Sequence, residues 1–317
     1  MSQTMPAITV QNLRKSYKEN NVLKGISFTV QKGSVFALLG SNGAGKTTAV
    51  KILSTLIRPD GGKAEIYGYD VVKQSGQVRK QISLIGQYAA VEETLTGREN
   101  LRIIGALRHI PDKNEQADKL LKLFHLANAA NKYVSTYSGG MRRRLDIAMS
   151  LMGKSPVVFL DEPTTGLDPQ NRLAMWDIIK SMTNTGITVF LTTQYLDEAE
   201  YLADHVTILH EGTIIADGTT DELKEKLPQG IMELSFRNEN ELKKAMELLN
   251  HYIIQSGEDK CSLQLQTDGG AIQFAEVLNI LNQANVEIVK FNPKKPTLED
   301  AFLTLIGEKK KESSGEN

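Results

Sequence analysis

The sequence predicts an α/β protein of two domains, the larger built around parallel strands and the smaller an α+β unit that follows it. Three observations carry this reading. The apolar run Val35-Phe36-Ala37-Leu38-Leu39 leads into Gly40-Ser41-Asn42-Gly43-Ala44-Gly45-Lys46-Thr47-Thr48, a strand, a glycine-rich loop and a helix start in the spacing GxxxxGK[ST]. A second apolar run, Val157 to Leu160, ends in Asp161-Glu162 and opens a strand-helix-strand rhythm that implies parallel neighbours. After Pro228-Gln229-Gly230 the pattern changes to the order βαββαβ, a small split-βαβ sandwich.

Short β-type runs come first, at Ile8 to Leu13 and Gly25 to Val30, ahead of the strand that enters the loop. The helix after the loop runs to about Leu56 and is stopped by Arg58-Pro59-Asp60-Gly61-Gly62. A short strand pair near Lys63 to Val71 and a strand at Gln81 to Gly86 follow. From about Thr96 to Met152 the chain reads as helical. Thr96 and Glu99 form a capping box there, with Leu101, Ile104 and Leu107 at helical spacing. This is a helical insertion into a β-rich core. Strands return at Pro156 to Leu160 and Thr188 to Thr193, around a helix opened by Asp168-Pro169 and closed by Gly186. A hairpin, Val206 to Leu209 with Thr213 to Asp217, closes this part.

In the C-terminal part, strands are expected near Ile231 to Phe236, Ile253 to Gln255, Cys261 to Gln266 and Val286 to Phe291. Helices fall at Glu239 to Asn250 and Ala271 to Ala284. A last helix opens with Thr297 and Asp300 as a cap pair before Ala301-Phe302-Leu303. The expected domains are 1–228, with the helical insertion at about 88–152, then 229–307, then a disordered tail over 308–317.

Basic and acidic residues nearly cancel, 37 against 38, so no broad field draws the chain to nucleic acid or to an anionic membrane surface. A single cysteine, Cys261, excludes an internal disulfide framework and a cysteine-rich metal site. The N-terminus has no charged segment followed by an apolar stretch, and no window approaches the roughly 18 apolar residues of a membrane span. Any membrane role is expected to come through a partner.

The loop's residue types point to a nucleoside triphosphate, ATP or GTP. Gly40, Gly43 and Gly45 let backbone amides approach phosphate where a Cβ would block them, and the helix dipole aims at the same place. Lys46 adds a cation for the β- and γ-phosphates, and the Thr47 hydroxyl is placed to hold Mg²⁺. Asp161 would anchor that ion and Glu162 would polarise an attacking water, the alternative being two solvated acids at a strand end.

Tyr137-Ser138-Gly139-Gly140-Met141 resembles the signature motif of ABC-type ATPases, in the place between loop and acidic strand where that family carries it. Gln87 resembles the family's Gln loop, Gly166-Leu167-Asp168 its D-loop, and Tyr17 its adenine-stacking aromatic. Within the family, Tyr137 to Arg144, Thr192-Thr-Gln-Tyr-Leu-Asp-Glu-Ala199 and Pro296 to Phe302 resemble ATP-binding subunits of the daunorubicin-resistance type. The resemblance implies a P-loop NTPase core with an antiparallel β subdomain and a helical insertion, plus a ferredoxin-like C-terminal domain. It implies ATP and Mg²⁺, with Gly40 to Thr48, Tyr17 and the Ser138-Gly139-Gly140 turn around the nucleotide, and Thr47, Gln87 and Asp161 at the metal. It further implies hydrolysis that drives export, drug export by subgroup likeness with lipid, polysaccharide and peptide cargo left open, a head-to-tail ATP-sandwich dimer with a second copy, and a transmembrane permease subunit. That partner would take hold near Tyr88 to Gly97 and keep the chain on the cytoplasmic face of the cell membrane.

Ser138 is a good N-cap, and Gly139 and Gly140 leave the first amides of its helix open. Arg142 to Arg144 read as a solvated or ion-paired helix face. Tyr17 has a strand-edge aromatic as its alternative, and Gln87 a surface loop amide. Gln194 departs from the family, which mostly carries a switch histidine there; glutamine can hold a γ-phosphate or a water but cannot accept its proton at neutral pH. The competing function is a soluble, non-transport ABC-type ATPase acting on nucleic acid or the ribosome. Such proteins carry two ATPase domains or a coiled-coil insertion, and this sequence has neither.

Overall fold

The computed structural model describes residues 5–87, 90–153, 155–225, 230–257, 259–294 and 297–302. Contacts divide the chain into two compact units, Met1–Thr219 and Thr220–Asn317.

The first unit runs β1 (Ile8–Tyr17), β2 (Asn20–Val30), β3 (Val35–Leu39), α1 (Lys46–Leu53), β4 (Gly61–Ile66), β5 (Tyr69–Asp70), α2 (Ser75–Gln81) and β6 (Ile82–Ile85). It continues through α3 (Gly97–Leu107), α4 (Lys113–Leu123), α5 (Gly139–Ser150), β7 (Val157–Asp161), α6 (Pro169–Thr183), β8 (Thr188–Thr193), α7 (Leu196–Leu202), β9 (His205–His210) and β10 (Thr213–Gly218). Two sheets result. One is antiparallel, in the order β2-β1-β4-β5. The other has the order β10-β9-β3-β8-β7-β6, parallel except for its β9-β10 hairpin edge.

Every residue of β3, β7 and β8 is buried, as a parallel sheet covered on both faces requires. Phe36 stacks on Phe28 and on Phe190, each with centroids 5.2 Å apart, and Phe159 meets Phe190 at 5.3 Å. This aromatic cluster lies in the core that the two sheets share. The strand register pairs Leu39 with Thr193 and Asp161 with Thr192, so the carboxyl ends of β3, β7 and β8 form one rim. In open parallel sheets that rim is where ligands sit.

Several elements differ from expectation. β1 and β2 extend beyond Leu13 and before Gly25 through polar residues, because cross-strand pairing from Arg14↔Lys24 to Tyr17↔Asn20 carries them. Helices α2 and α7 were not expected; each spans seven residues, and α2 buries only Val78, too little to write an apolar stripe. In α3 the capping box of Thr96 and Glu99 forms. Its apolar spacing does not make one buried face: Leu101 is buried, whereas Leu107 is 70% exposed.

The second unit contains α8 (Thr220–Glu225), β11 (Gly230–Phe236), α9 (Glu239–Leu248), β12 (Ile254–Ser256), β13 (Ser262–Thr267), α10 (Ala271–Gln283) and β14 (Ile288–Lys294). Its sheet is antiparallel throughout, in the order β12-β13-β11-β14, which is the split-βαβ arrangement expected. Met232, Leu234, Phe236, Leu263 and Leu265 alternate onto one face and pack with Ala245, Val277 and Leu281 of the helices. Thr297 and Asp300 cap the turn that follows. Contacts assign α8 to this unit, so the division falls before the composition change at 228/229; residues 226–229 and the tail 308–317 lie outside the described residues.

The phenylalanine cluster sets a stability expectation. Phe190→Ala should lower the unfolding free energy of the first unit by about 3–5 kcal/mol. Urea denaturation checks this, and a change under about 1 kcal/mol would contradict the packing role.

Candidate nucleotide site

At the head of β3 the chain cannot continue as a strand. A Cβ on Gly40 would lie 2.2 Å from the Leu209 carbonyl oxygen, so only glycine lets the loop pass β9. Gly45, with φ 113, is the N-cap of α1 and turns the chain into the helix. Ser41, Asn42 and Gly43 are exposed at the tip, Ala44 is buried, Thr47 is exposed and Thr48 half-buried. The loop is therefore anchored at its base and open at its crest.

Lys46 follows at once and is 4% exposed. Its Nζ donates to the carbonyls of Gly40 at 2.7 Å and Ser41 at 3.1 Å, and pairs with Glu162 Oε1 at 3.3 Å. A cation this buried needs such partners. Thr47 Oγ1 lies 3.4 Å from Asp161 Oδ1, and Thr192 Oγ1 donates to the same oxygen at 2.5 Å.

Asp161 is the last residue of β7, and Glu162 leaves the strand with φ 50, its N–H donating to the Thr192 carbonyl and hydroxyl, each at 3.1 Å. The two adjacent carboxylates thus separate through a left-handed turn. One meets Thr47 and Thr192; the other meets Lys46. In the sequence Thr192 figures only at the head of the string Thr192 to Ala199, with no role at the site. Its signal is a polar pair, Thr192-Thr193, that follows the apolar run Val189-Phe190-Leu191.

Around this centre the remaining residues are separate. Among the described residues no hydrogen bond joins Tyr17, Gln87, Ser138 or Gln194 to Lys46, Thr47, Asp161 or Glu162. Tyr17 closes β1 at 47% exposure, with the Lys15 ammonium over one face of its ring, 5.5 Å from the centroid. Gln87 is exposed just beyond β6, and Gln194 is half-buried between β8 and α7. Tyr88 and Ala89 lie outside the described residues.

Ser138 caps α5 by accepting from Met141 N–H at 3.3 Å. Gly139 faces open space, whereas a Cβ on Gly140 would meet the Asn171 side chain at 2.6 Å. Asn171 is itself held by Asp168, so the Ser138 turn packs against the start of α6. The three arginines behind it divide. Arg142 pairs with Glu93 at 2.6 Å, as an ion-paired face would. Arg143 corrects the expectation: it is 6% exposed and points inward.

Glu198 of α7 is fully buried behind the rim. It accepts from Thr164 Oγ1 at 2.7 Å and Trp176 Nε1 at 3.0 Å. Burial pushes its carboxyl up from the ordinary value, with the hydroxyls of Thr193 and Thr164 and the indole N–H working against that.

A glycine-anchored loop after a parallel strand, a buried lysine at its base and two carboxylates on the next strand end define a P-loop nucleotide hydrolase. The ABC transporter family profile matches residues 23–165, and a profile described as ATP-binding protein DrrA1-3-like, C-terminal domain, matches residues 218–306. The chain is 43% identical over 304 residues to the daunorubicin resistance ATP-binding protein DrrA3 of Streptomyces coeruleorubidus, covering 95% of this chain and 96% of the relative. It is 40% identical over 311 residues to the daunorubicin/doxorubicin resistance ATP-binding protein DrrA of Streptomyces peucetius, covering 96% and 94%. A solved structure titled as an ATP-binding subunit of an ABC transporter aligns with TM-score 0.62 and 30% identity, over 69% of this chain and 92% of its own. The chain belongs to the ATP-binding proteins of the ABC transporter family, with a DrrA-like C-terminal domain, and is an ATPase of that family.

The buried Glu198 carboxyl carries a pH dependence. Its raised value means the folded chain holds a proton that the unfolded chain releases, so its stabilisation is lost as pH rises above 4.5. Glu198→Gln should remove that slope. Urea unfolding of both proteins across pH is expected to show the native chain losing stability relative to the variant as pH rises; parallel profiles would contradict it.

Proposed function

We propose that the site binds MgATP, that Glu162 activates the water that cleaves its γ-phosphate, and that the cycle energises export through a separate transmembrane partner. The observation that carries this is the convergence of Lys46, Thr47, Asp161 and Glu162 at the base of one loop. Lys46 presently spends its donors on two backbone carbonyls and Glu162. Phosphate oxygens carry more charge than carbonyls, so a triphosphate laid over the Ser41 to Gly45 amides would draw the ammonium away. That exchange frees Glu162 to accept a proton from water.

Among the described residues no group of three or more His, Cys, Asp or Glu could hold a metal alone. The donor set here, the Thr47 hydroxyl and the Asp161 carboxylate, with Gln87 just past the end of β6, the strand paired beside β7, fits Mg²⁺, which keeps waters and takes phosphate oxygens as ligands. When bound, the ion would neutralise charge on the phosphates. Tyr17 offers a face for adenine. Gln194, at the end of β8, would sense the γ-phosphate by hydrogen bonding without taking a proton.

Ser138 and Gly139 present the open N-terminus of α5, a donor set for a γ-phosphate held by a second copy. Two such contacts would close a head-to-tail dimer around two nucleotides, and hydrolysis would reopen it. Among the described residues no helix is long and apolar enough to cross a membrane; the spanning path for the cargo is assigned in this reading to the transmembrane partner. The drug-resistance names of the relatives favour export of a drug-like cargo.

Lys46→Ala should abolish productive nucleotide binding in a titration with a fluorescent ATP analogue; unchanged affinity would refute the site. Glu162→Gln should bind ATP, hydrolyse it roughly 10²–10⁴-fold more slowly and persist as a dimer with ATP on size exclusion. Only monomers under those conditions would count against closure. Gln194→Ala should lower turnover, and full activity would remove it from the site.

A further inference from the structure

The interior position of Arg143 calls for an account, since burying a guanidinium brings a desolvation cost that an apolar side chain would avoid. Its donors go to the backbone of the segments that frame the nucleotide site. Nη1 donates to the Gly86 carbonyl at 2.6 Å, one residue before Gln87. Nε donates to the Pro163 carbonyl at 3.0 Å, one residue after Glu162, and Nη2 lies 3.5 Å from the Asp161 carbonyl.

One turn along α5, Asp146 is 8% exposed and pairs with Arg143 Nη1 at 3.3 Å. Its other oxygen accepts the Ala90 N–H at 3.1 Å. Gly86 and Ala90 bracket the segment that carries Gln87. The pair therefore holds both ends of that segment, and the strand end bearing Asp161 and Glu162, against one turn of the helix that begins at Ser138. A planar guanidinium with five donors can span three carbonyls and a carboxylate at fixed angles; an ammonium cannot.

We propose that Arg143 and Asp146 are a positioning pair for ATP hydrolysis: they fix Glu162, Gln87 and the Ser138 turn in one rigid frame, so that displacement of any one segment is felt by the others. This rests on the reading of Glu162 and Gln87 given above. Neither Arg143 nor Asp146 touches the nucleotide in this account; both act through backbone. A pair that served stability alone would be replaceable by apolar residues, since buried ion pairs often give way to hydrophobic ones without loss of stability.

The test uses the full chain and three variants, Arg143→Lys, Asp146→Asn and the double variant R143M/D146L, with thermal unfolding, nucleotide affinity and steady-state hydrolysis measured on each. Positioning predicts that folded variants bind a fluorescent ATP analogue within about threefold of the native chain while kcat falls roughly tenfold or more, the split expected when only transition-state alignment is lost. The double variant is the sharpest arm: it removes the ion pair without leaving a lone buried charge, and where it folds it is expected to bind nucleotide yet turn over slowly. Native kcat in the folded double variant, or in Arg143→Lys, overturns the proposal, and so does failure of all three to fold, which would make the pair a stability element. Glu162→Gln measured alongside separates the two readings: if it hydrolyses at the native rate, the site assignment fails; if it is slow while the Arg143 and Asp146 variants are normal, only the positioning pair fails.

Discussion

One buried cation organises this molecule. Lys46 has almost no contact with water, and a lysine in that position is tolerated only where carbonyls or a carboxylate face it. The loop supplies the carbonyls of Gly40 and Ser41 because it folds back over the start of α1, and β7 supplies Glu162 because its last residues reach the same rim. Each requirement leads to a further one. The loop can fold back only where Gly40 passes Leu209 without a side chain, and the acid reaches the rim only because β7 lies next to β8, which lies next to β3.

The second constraint is that two neighbouring carboxylates must do different work. Asp161 stays in the strand and is met by the Thr47 and Thr192 hydroxyls; Glu162 breaks into a left-handed turn held by Thr192 and meets the lysine. Thr192 therefore serves both acids, which ties β8 to the site just before Gln194. Behind the rim, Glu198 with Thr164 and Trp176 fastens α7 and α6 to the loop after Glu162, while Arg143 fastens α5 to the same loop from another side. The site is thus held by backbone carbonyls and short polar side chains, with apolar packing beneath.

Much of this was legible in the sequence because the deciding signals are local. The strand-loop-helix spacing around Lys46, the acids after Val157 to Leu160 and the capping box at Thr96 each name their own geometry within a few residues. The βαββαβ order of the second unit was readable for the same reason. What was hidden depends on partners far along the chain. Nothing near Arg143 reveals that it faces Gly86 and Pro163, so a run of three arginines looks like a solvated face. Thr192 gains its role only through register with Asp161. Helices α2 and α7 are too short to show a period, and Leu107 matches one without being buried.

A structure of the full chain with MgATP held unhydrolysed by a γ-modified analogue tests the central claim most directly. The account predicts phosphate over the Ser41 to Gly45 amides, with Lys46 Nζ turned from the Gly40 and Ser41 carbonyls to phosphate oxygen and its contact with Glu162 broken. A nucleotide bound elsewhere, or a Lys46–Glu162 pair left intact beneath it, would contradict it.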